Sequence, residues 1–526
     1  MAANGSAAKP VDNWDPQALL KALYEISYEP RVETKRNRFV NIEGHVDVPS
    51  DETNNAEELE REWKSQYIRT KEGRLQIYAT HYAGEAPVAE ISLNGVEVDA
   101  NREARTLRVH GGNEKVNFLI RVPSNVFDKW TQALFSHSAS TQIDAYVKPI
   151  PRAFLHPNER ILIVELGRCS IRAGELTTEP SLPQSFFPAI GVEAEDGSVI
   201  VGQKAFEPKA RNNGKFVRPI EVEGEAYTVN KPVLTACIQK VIKDLKIDAP
   251  RYTILISLPL SIPANITGDI LTICLNDLKF QGASLTRQSQ LVLYSYDVTS
   301  GVVVDIGDQV NIIPVIDGYA VDSTITVPYG AAQIAKSLKN TILSKGNSTY
   351  TFTDPVEELI LRYILEQTTY VPEDYKKEKE NDDKKGIISI EAFNPTPEMQ
   401  VNIEVGPARY QCTEGLFNPS KWGLMTKPLH TLIHEAVQKC PIDSRKNLYR
   451  NIYLSGGASL MPGLAEKLEI ELAPIVPHIH SQVHISPWRY NAAYLGAQIL
   501  ASEATFSDTC ITLKQLPTFL SQLQSD

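Results

Sequence analysis

The chain contains two copies of one short pattern: an apolar segment that ends in an acid, one further residue, a glycine, and a second apolar segment. The copies are ERILIVELGRCSIRAGE at 159–175 and SGVVVDIGDQVNIIPVIDG at 300–318. Glu165 and Asp305 take equivalent places in them, and Gly167 and Gly307 follow at the same step. Apolar segments that flank a glycine-containing turn predict a β-hairpin. The repeat therefore predicts two similar lobes, each presenting a hairpin turn to a shared cleft.

A third glycine-containing turn lies in NIYLSGGASLMPGLAEKL at 451–468. A predicted strand ends at Gly456 and Gly457, and a helix is predicted after Pro462. Glycines at a strand-to-helix turn let the backbone approach a ligand closely. A hairpin turn can likewise hold a metal-bound phosphate when its N–H groups face inward. In the second hairpin, however, Gln309 follows Asp308 at a place where a phosphate-binding turn usually has glycine.

Composition narrows the class of protein. The 526 residues carry a formal net charge of −11, so we do not expect a nucleic-acid-binding surface. The six cysteines form no CxxC pair, which favours reduced thiols in a cytosolic or nuclear protein. The segment PHIHSQVH at 477–484 holds His478, His480 and His484 but no Cys or acid, so we expect no metal site there. The acidic balance and the lack of a basic localisation run favour the cytoplasm, with the nucleus as the alternative.

The chain divides into four predicted segments. Residues 1–30 form an N-terminal tail with a short helix over 15–26, which Asp15 caps and Pro16 begins. Residues 31–138 carry short strand-like runs and then an amphipathic helix, which predicts a small barrel or sandwich plugged by that helix. Three prolines and no clear periodicity mark 139–159 as a linker, and residues 160–526 mix strands with helices.

The region 31–138 resembles a pleckstrin-homology (PH) domain, on the hairpin WKSQYIRTKEGRLQIY at 63–78 and on Trp130 in the closing helix. The resemblance implies a PH-like β-barrel with a C-terminal helix and a surface for docking. Membrane binding through phosphoinositides is not expected, because the loop VPSDETNNAEELERE at 48–62 holds six acids and one arginine. Such a loop would be repelled by an anionic membrane surface.

Residues 160–526 resemble the actin family. The resemblance rests on the two hairpins, the glycine turn and several further stretches: SFFPAIG at 185–191, IIPVIDGYA at 312–320, YQCTEGLFNPS at 410–420, CPIDSRKNLYRNIYLSGGASLMPG at 440–463 and LGAQILASEATF at 495–506. It implies an α/β actin-like fold with two duplicated lobes around a nucleotide cleft. It also implies ATP or ADP with Mg²⁺ as the family's cofactor.

The first hairpin departs from the family pattern. Glu165 stands at the place of the family's metal-facing acid and is one methylene longer. Arg168 and Cys169 replace a Ser-Gly pair whose amides hold phosphate, and their side chains would crowd the turn. Arg172 stands at the place of the basic residue that follows, and an arginine can pair with phosphate.

The second hairpin keeps Asp305, Gly307 and Asp308. The segment after it is one residue shorter than in actin, and the histidine that orders the attacking water falls in the gap. Its partner glutamine matches Gln288, so Gln288 and Asp305 are the candidate catalytic remnants. Hydrolysis needs an oriented water as well as a metal, so only half of that arrangement remains.

The residues of the expected base and ribose pocket match the family pattern at some positions and depart from it at others. Glu366 matches the ribose-side acid, and Gly456 and Gly457 match the glycine turn. Leu365 replaces a lysine, and Tyr490 replaces the lysine near the adenine, although a tyrosine could stack on a base. Two interpretations stay open: a slow or silent nucleotide site that holds the cleft closed, and an empty cleft whose lobes pack directly.

Three function hypotheses follow from a nucleotide site that keeps some of the family's residues and lacks others. The first is a non-catalytic actin-related scaffold in a cytoskeletal or chromatin assembly, with actin or other actin-related proteins as candidate partners. The second is a slow ATPase switch that uses Asp305, Asp308, Glu165 and Gln288, and the third is a membrane adaptor. Self-polymerisation is not expected, because the stretch at 191–202 that matches actin's mobile loop is shorter and acidic.

Overall fold

A computed structural model describes most of the chain. The described residues are 14–25, 28, 31, 40–50, 62–71, 73–79, 86–93, 95–112, 115–138, 160–177, 181–223, 226–260, 262–327, 329–346, 348–381, 386–393 and 400–523. The predicted linker at 139–159, residues 1–13 of the predicted tail and residues 51–61 of the acidic loop lie outside them.

Among its described residues, the N-terminal part has one helix, then seven strands, then a second helix. They are α1 (Gln17–Glu25), β1 (Glu43–Pro49), β2 (Trp63–Lys71), β3 (Arg74–Tyr78), β4 (Ala89–Ser92), β5 (Val96–Asn101), β6 (Thr106–Gly111), β7 (Val116–Arg121) and α2 (Phe127–Ser138). Helix α1 begins as predicted, since the Asp15 carboxylate accepts a hydrogen bond from the Gln17 N–H at 3.0 Å.

The seven strands form one antiparallel sheet in the order β4-β3-β2-β1-β7-β6-β5. Among the described residues the sheet is open, with β4 and β5 at its two ends, so the predicted closed barrel is not found. Alternating apolar residues of the strands face α2, where Trp130 is 2% exposed against Ile68 and Leu107. Burial of this one face explains why strand and helix form a single unit.

The first lobe follows. Its elements are β8 (Ile161–Leu166), β9 (Ser170–Glu175), β10 (Ser185–Pro188), β11 (Gly191–Ala194), β12 (Val199–Val201), α3 (Pro208–Arg211), β13 (Gly214–Val217), β14 (Ile220–Glu223), β15 (Ala226–Val229), α4 (Lys231–Leu245), β16 (Thr253–Leu258), α5 (Ala264–Thr272), β17 (Gly282–Arg287) and α6 (Gln288–Ser295). The main sheet has the order β10-β9-β8-β16-β17.

The second lobe is built in the same way. Its elements are β18 (Gly301–Ile306), β19 (Val310–Ile316), β20 (Tyr319–Ala320), β21 (Ile325–Val327), α7 (Ala331–Ser344), α8 (Pro355–Thr368), α9 (Tyr375–Asn381), β22 (Ile387–Ser389), β23 (Asn402–Glu404), α10 (Ala408–Gln411), α11 (Leu429–Gln438), α12 (Ile442–Arg450), β24 (Ile452–Ser455), α13 (Leu464–Leu472) and β25 (Val483–His484). Its main sheet has the order β20-β19-β18-β24-β25, and the chain ends with α14 (Ala492–Ala501) and α15 (Leu516–Leu523).

The two main sheets share one topology. In each, an antiparallel three-strand meander is followed by two strands that run parallel to its first strand. The internal repeat read from the sequence is therefore a repeat of structure. It places Glu165 and Asp305 at equivalent ends of β8 and β18, so that their two hairpin turns meet in the cleft. Among the described helices, none is long and apolar enough to cross a bilayer.

Candidate functional site

The tips of the two repeated hairpins are joined directly. The Arg168 guanidinium Nε lies 3.5 Å from an Asp308 carboxylate oxygen, and the Cys169 thiol lies 3.3 Å from the other oxygen. Arg168 is held in turn, because its carbonyl accepts a hydrogen bond from Arg218 at 3.0 Å. The side chains of Arg168 and Cys169, which were expected to crowd the first turn, therefore extend across the cleft and contact Asp308 of the second turn.

Glu165 is paired within its own hairpin. It stands directly opposite Arg172 in the β8–β9 register, and paired residues of an antiparallel hairpin project to the same face. The Arg172 guanidinium donates to Glu165 Oε1 across 2.6 Å, and both side chains are buried. Burial opposes the charge of Arg172, but the neighbouring Glu165 raises the pKa of Arg172 above its ordinary value. A guanidinium of the chain itself thus contacts one carboxylate oxygen of the acid that the resemblance assigned to a metal ion.

Asp305 lies at the equivalent place in the second lobe but has no arginine opposite it. Its strand partners are Asn311 on β19 and Ser455 on β24, and the Ser455 hydroxyl donates to it at 3.1 Å. Burial raises the pKa of Asp305 to about 6, and the nearby Glu165 adds to the rise. Asp305 is therefore a carboxylate held in place by neutral donors at a site that disfavours its charge.

The glycines of the two turns use their amides inside the turns. The Gly167 N–H donates to the Ser170 carbonyl at 3.0 Å, and the Gly307 N–H donates to the Gln309 carbonyl at 3.1 Å. These two amides are committed to closing the hairpins and are not offered to phosphate. Gly330, which precedes α7, packs so closely on the second turn that a Cβ there would lie 2.6 Å from the Gly307 carbonyl oxygen.

Glycine is required at 456 and favoured at 457 by different neighbours of the glycine turn. Gly456 has a φ of +86°, and a Cβ there would lie 2.8 Å from the Asp305 carboxylate and 2.6 Å from the Ile306 carbonyl oxygen. Only glycine fits this close approach to β18. A Cβ on Gly457 would meet the Tyr490 ring at 3.3 Å. Tyr490 thus packs against the glycine turn, where the resemblance places the base.

The rings and cations around Tyr490 form one connected cluster. The Arg172 guanidinium lies 4.5 Å from the Tyr490 ring centroid and 4.8 Å from that of Phe186. On the other side, Arg362 donates to the Tyr490 hydroxyl at 3.3 Å and to Glu366 at 2.8 Å. Stacking of a base on Tyr490, which the sequence left open, would compete with these contacts to the chain's own groups.

Gln288 lies at the start of α6 beside the first hairpin. Its carboxamide nitrogen lies within hydrogen-bonding distance of two backbone carbonyls, Leu166 at 3.2 Å and Ser257 at 3.4 Å. These contacts tie α6 to the carboxyl ends of β8 and β16. The position that the resemblance links to water activation therefore also has a structural role here.

Three residues that contact the candidate site were not singled out in the sequence. Ser455 could have been found, because parallel pairing of the third turn's strand with β18 sets it beside Asp305. Phe186 carries no sign of its role beyond lying in an apolar strand. Tyr24 lies on α1, and its ring centroid is 4.5 Å from that of Phe186.

The described side chains do not fit a divalent-cation site as they stand. Such a site needs carboxylate oxygens that converge with lone pairs directed at one point. Here Glu165, Asp308 and Glu366 each pair with an arginine. Among the described residues no group of three or more His, Cys, Asp or Glu could hold a metal ion. Two groups depart from this pattern: Asp305 accepts from the Ser455 hydroxyl instead of an arginine, and Glu165 Oε2 is buried without a hydrogen-bond partner among the described residues.

A comparison with protein-family models matches the actin model to residues 157–515, which covers both lobes, both hairpins and the glycine turn. The matched segment is more than half of the chain. The duplicated sheet topology and the facing hairpins are the architecture that the resemblance implied. The chain belongs to the actin family.

Proposed function

We propose that the protein is a non-catalytic actin-related scaffold, a subunit of a larger assembly rather than an ATPase. The observation that carries this proposal is the contact between the two hairpin turns. Arg168 and Cys169 of the first turn meet Asp308 of the second, between the turns that grip phosphates in the family. A nucleotide would have to break these contacts to enter.

Charge pairing in the cleft supports the same proposal. A metal ion bound at Glu165 Oε1 would have to displace Arg172 from a buried contact of 2.6 Å. Removing one partner of a buried ion pair is unfavourable by roughly 3–5 kcal/mol unless a new partner replaces it. Hydrolysis would further need an oriented water, and Gln288 is the one matching residue.

A scaffold acts through its surfaces. We propose that the actin-like lobes form one docking surface and the N-terminal seven-stranded unit, as a PH-like module, forms a second. The partners would be proteins, with actin or other actin-related proteins as candidates. We favour a cytoplasmic, cytoskeletal assembly and keep a nuclear chromatin assembly as the alternative. A role as a membrane adaptor is not favoured, because the acidic loop at 48–62 opposes anionic lipid.

One observation favours a second candidate, a slow ATP-dependent switch. Glu165 Oε2 is buried without a partner among the described residues, and a buried unpaired carboxylate oxygen is unfavourable. A hydrated cation brought in with nucleotide would satisfy it. This candidate requires that Arg172 and Arg168 move from Glu165 and Asp308 to the phosphates, which arginines can bind in a bidentate way.

Ligand-induced stabilisation separates the two candidates. A nucleotide that binds only the folded chain at a thousandfold excess over its Kd stabilises it by about 4 kcal/mol. We expect millimolar ATP or ADP with Mg²⁺ to leave the melting temperature of the full chain unchanged, whereas actin treated in parallel is stabilised. A clear rise for this chain would favour the switch. Cross-linking mass spectrometry of the purified endogenous complex should place actin-family subunits beside the two lobes.

A further inference from the structure

Helix α1, together with Trp14 before it, lies between the two lobes, and we call residues 14–25 the interlobe helix. It is amphipathic, with polar residues such as Lys21 and Glu25 outside, where they pair at 3.4 Å. Its apolar side is almost fully buried: Trp14, Leu19, Leu20, Leu23 and Tyr24 are all 5% exposed or less. A helix of nine residues is marginal alone in water, so this packing is what stabilises it.

The buried side of the interlobe helix belongs to a hydrophobic core that both lobes share. From the first lobe this core includes Phe186, Ile190, Val192, Ala205 and Phe206. From the second lobe it includes Val356, Leu359 and Ile360 of α8, together with Ile390. The helix therefore fills an apolar groove, and each wall of the groove comes from a different lobe.

Polar contacts tie the helix to both walls. Towards the first lobe, the Gln17 side chain donates to the Gln203 carbonyl at 3.0 Å. Towards the second, the Trp14 indole N–H donates to the Phe393 carbonyl.

The last turn of the helix reaches the cluster that contains Tyr490. Arg362 donates to the Tyr24 hydroxyl at 3.3 Å and lies 5.1 Å from its ring centroid. The Tyr24 ring packs against Phe186 of the first lobe. A single side chain of the helix thus links both lobes at the place where the family holds its nucleotide.

We propose that the groove between the lobes is a binding site for an amphipathic helix, and that residues 14–25 of the chain itself are its ligand. In the family a nucleotide contacts both lobes at once. Here the interlobe helix makes such contacts, through five buried side chains and hydrogen bonds to each lobe. Its removal uncovers apolar walls on both lobes, so the cleft loosens even where each lobe stays folded.

Hydrogen–deuterium exchange of the full chain tests this proposal. The variant Leu19→Asp places a charge in the groove, and Ala18→Asp places the same charge on the exposed side of the same turn. Leu19→Asp should raise amide exchange at least tenfold both in 202–206 and in α8, one segment from each lobe. Ala18→Asp should match the wild type. Faster exchange confined to residues 14–25 would overturn the proposal.

A peptide added in trans completes the test. A fluorescent peptide of residues 12–28 should bind the Leu19→Asp chain, restore slow exchange in both segments, and leave the wild type unlabelled because its groove is occupied. Failure of the peptide to bind the variant would contradict the proposal. If Leu19→Asp unfolds the whole chain, Leu19→Ala, which removes packing without adding charge, is examined by the same two readouts. No nucleotide is used, so the result stands apart from the test of the proposed function.

Discussion

Arg172 faces Glu165 from the directly opposite position of the β8–β9 hairpin and donates to it across 2.6 Å. In this chain the acid that the family directs at a metal ion is neutralised by the next strand of its own hairpin. Two further acids of the cleft also pair with arginines of the chain itself. Asp308 pairs with Arg168, and Glu366 pairs with Arg362. These three cleft acids are thus balanced by arginines of the chain itself.

Removal of one partner of the buried Glu165–Arg172 pair should destabilise the fold strongly. Arg172→Met keeps an apolar stem between the Phe186 and Tyr490 rings but leaves Glu165 unpaired. We expect the free energy of unfolding in urea to fall by about 3–5 kcal/mol. The double variant Glu165→Gln with Arg172→Met should recover more than half of that loss, because no buried charge is left alone.

The control for that pair is Arg74→Met. Arg74 and Glu90 form an ion pair on the N-terminal sheet at 3.0 Å, and both side chains are largely accessible to solvent. An accessible pair contributes about 1 kcal/mol or less. If Arg172→Met lowers the free energy of unfolding by no more than Arg74→Met does, the cleft pair is not needed for stability.

Asp305 should make stability depend on pH. Its pKa in the folded chain is about 6, above its ordinary value of 3.8, so the folded state holds this proton more tightly than the unfolded state does. The charged carboxylate therefore destabilises the fold above about pH 6, and this effect fades as the pH falls towards 4. Asp305→Asn should raise the free energy of unfolding at pH 7.5 by about 1–2 kcal/mol, with a smaller difference at pH 5. Destabilisation by Asp305→Asn at pH 7.5 would mean that the negative charge itself is needed.

Part of this site was readable from the sequence. The repeat fixed the equivalence of Glu165 and Asp305, and the two sheets share that topology. Once the turn of the first hairpin is placed, its register sets Arg172 opposite Glu165, so the ion pair could have been predicted in place of a phosphate contact. Gly456 and Gly457 predicted a close approach of the backbone to a ligand; in the structure Gly456 lies close to Asp305, and Gly457 lies close to the Tyr490 ring.

The location of α1 could not be predicted in this way. An apolar stripe shows that a helix must bury one face, but it does not show against what. Tyr24 and Arg362 are 338 residues apart in sequence and meet only because the lobes close around the helix. The prediction of a helix over 15–26 was therefore sound as local structure, while its place between the lobes depends on the tertiary fold.

The N-terminal unit should not bind phosphoinositides. Vesicles of phosphatidylcholine with a few per cent of phosphoinositide should not retain the full chain at physiological salt, because the acidic loop at 48–62 repels anionic lipid. A variant with Glu57, Glu58 and Glu60 replaced by lysine should be retained more. Headgroup-selective retention of the wild type at micromolar concentration would support the membrane-adaptor hypothesis.

The chain alone should not form filaments. Strands β11 and β12 are joined by the short connection 195–198, so the stretch that is a mobile loop in actin is here a tight hairpin. A head-to-tail contact needs complementary patches on both ends of the subunit, and this end offers little surface. After addition of magnesium and salt the protein should stay in the supernatant on ultracentrifugation while actin pellets. Filaments of this chain by electron microscopy would refute the prediction.

Single-turnover hydrolysis of labelled ATP tests the central claim most directly. Asp308 of the second turn is bound to Arg168, and the resemblance leaves Gln288 without a partner histidine to align a water. Loss of one such positioning group lowers a rate by on the order of 100-fold. We therefore expect turnover at least about 100-fold below that of filamentous actin, and equal in the wild type and Asp305→Ala. Turnover as fast as that of filamentous actin, abolished by Asp305→Ala, would contradict the account.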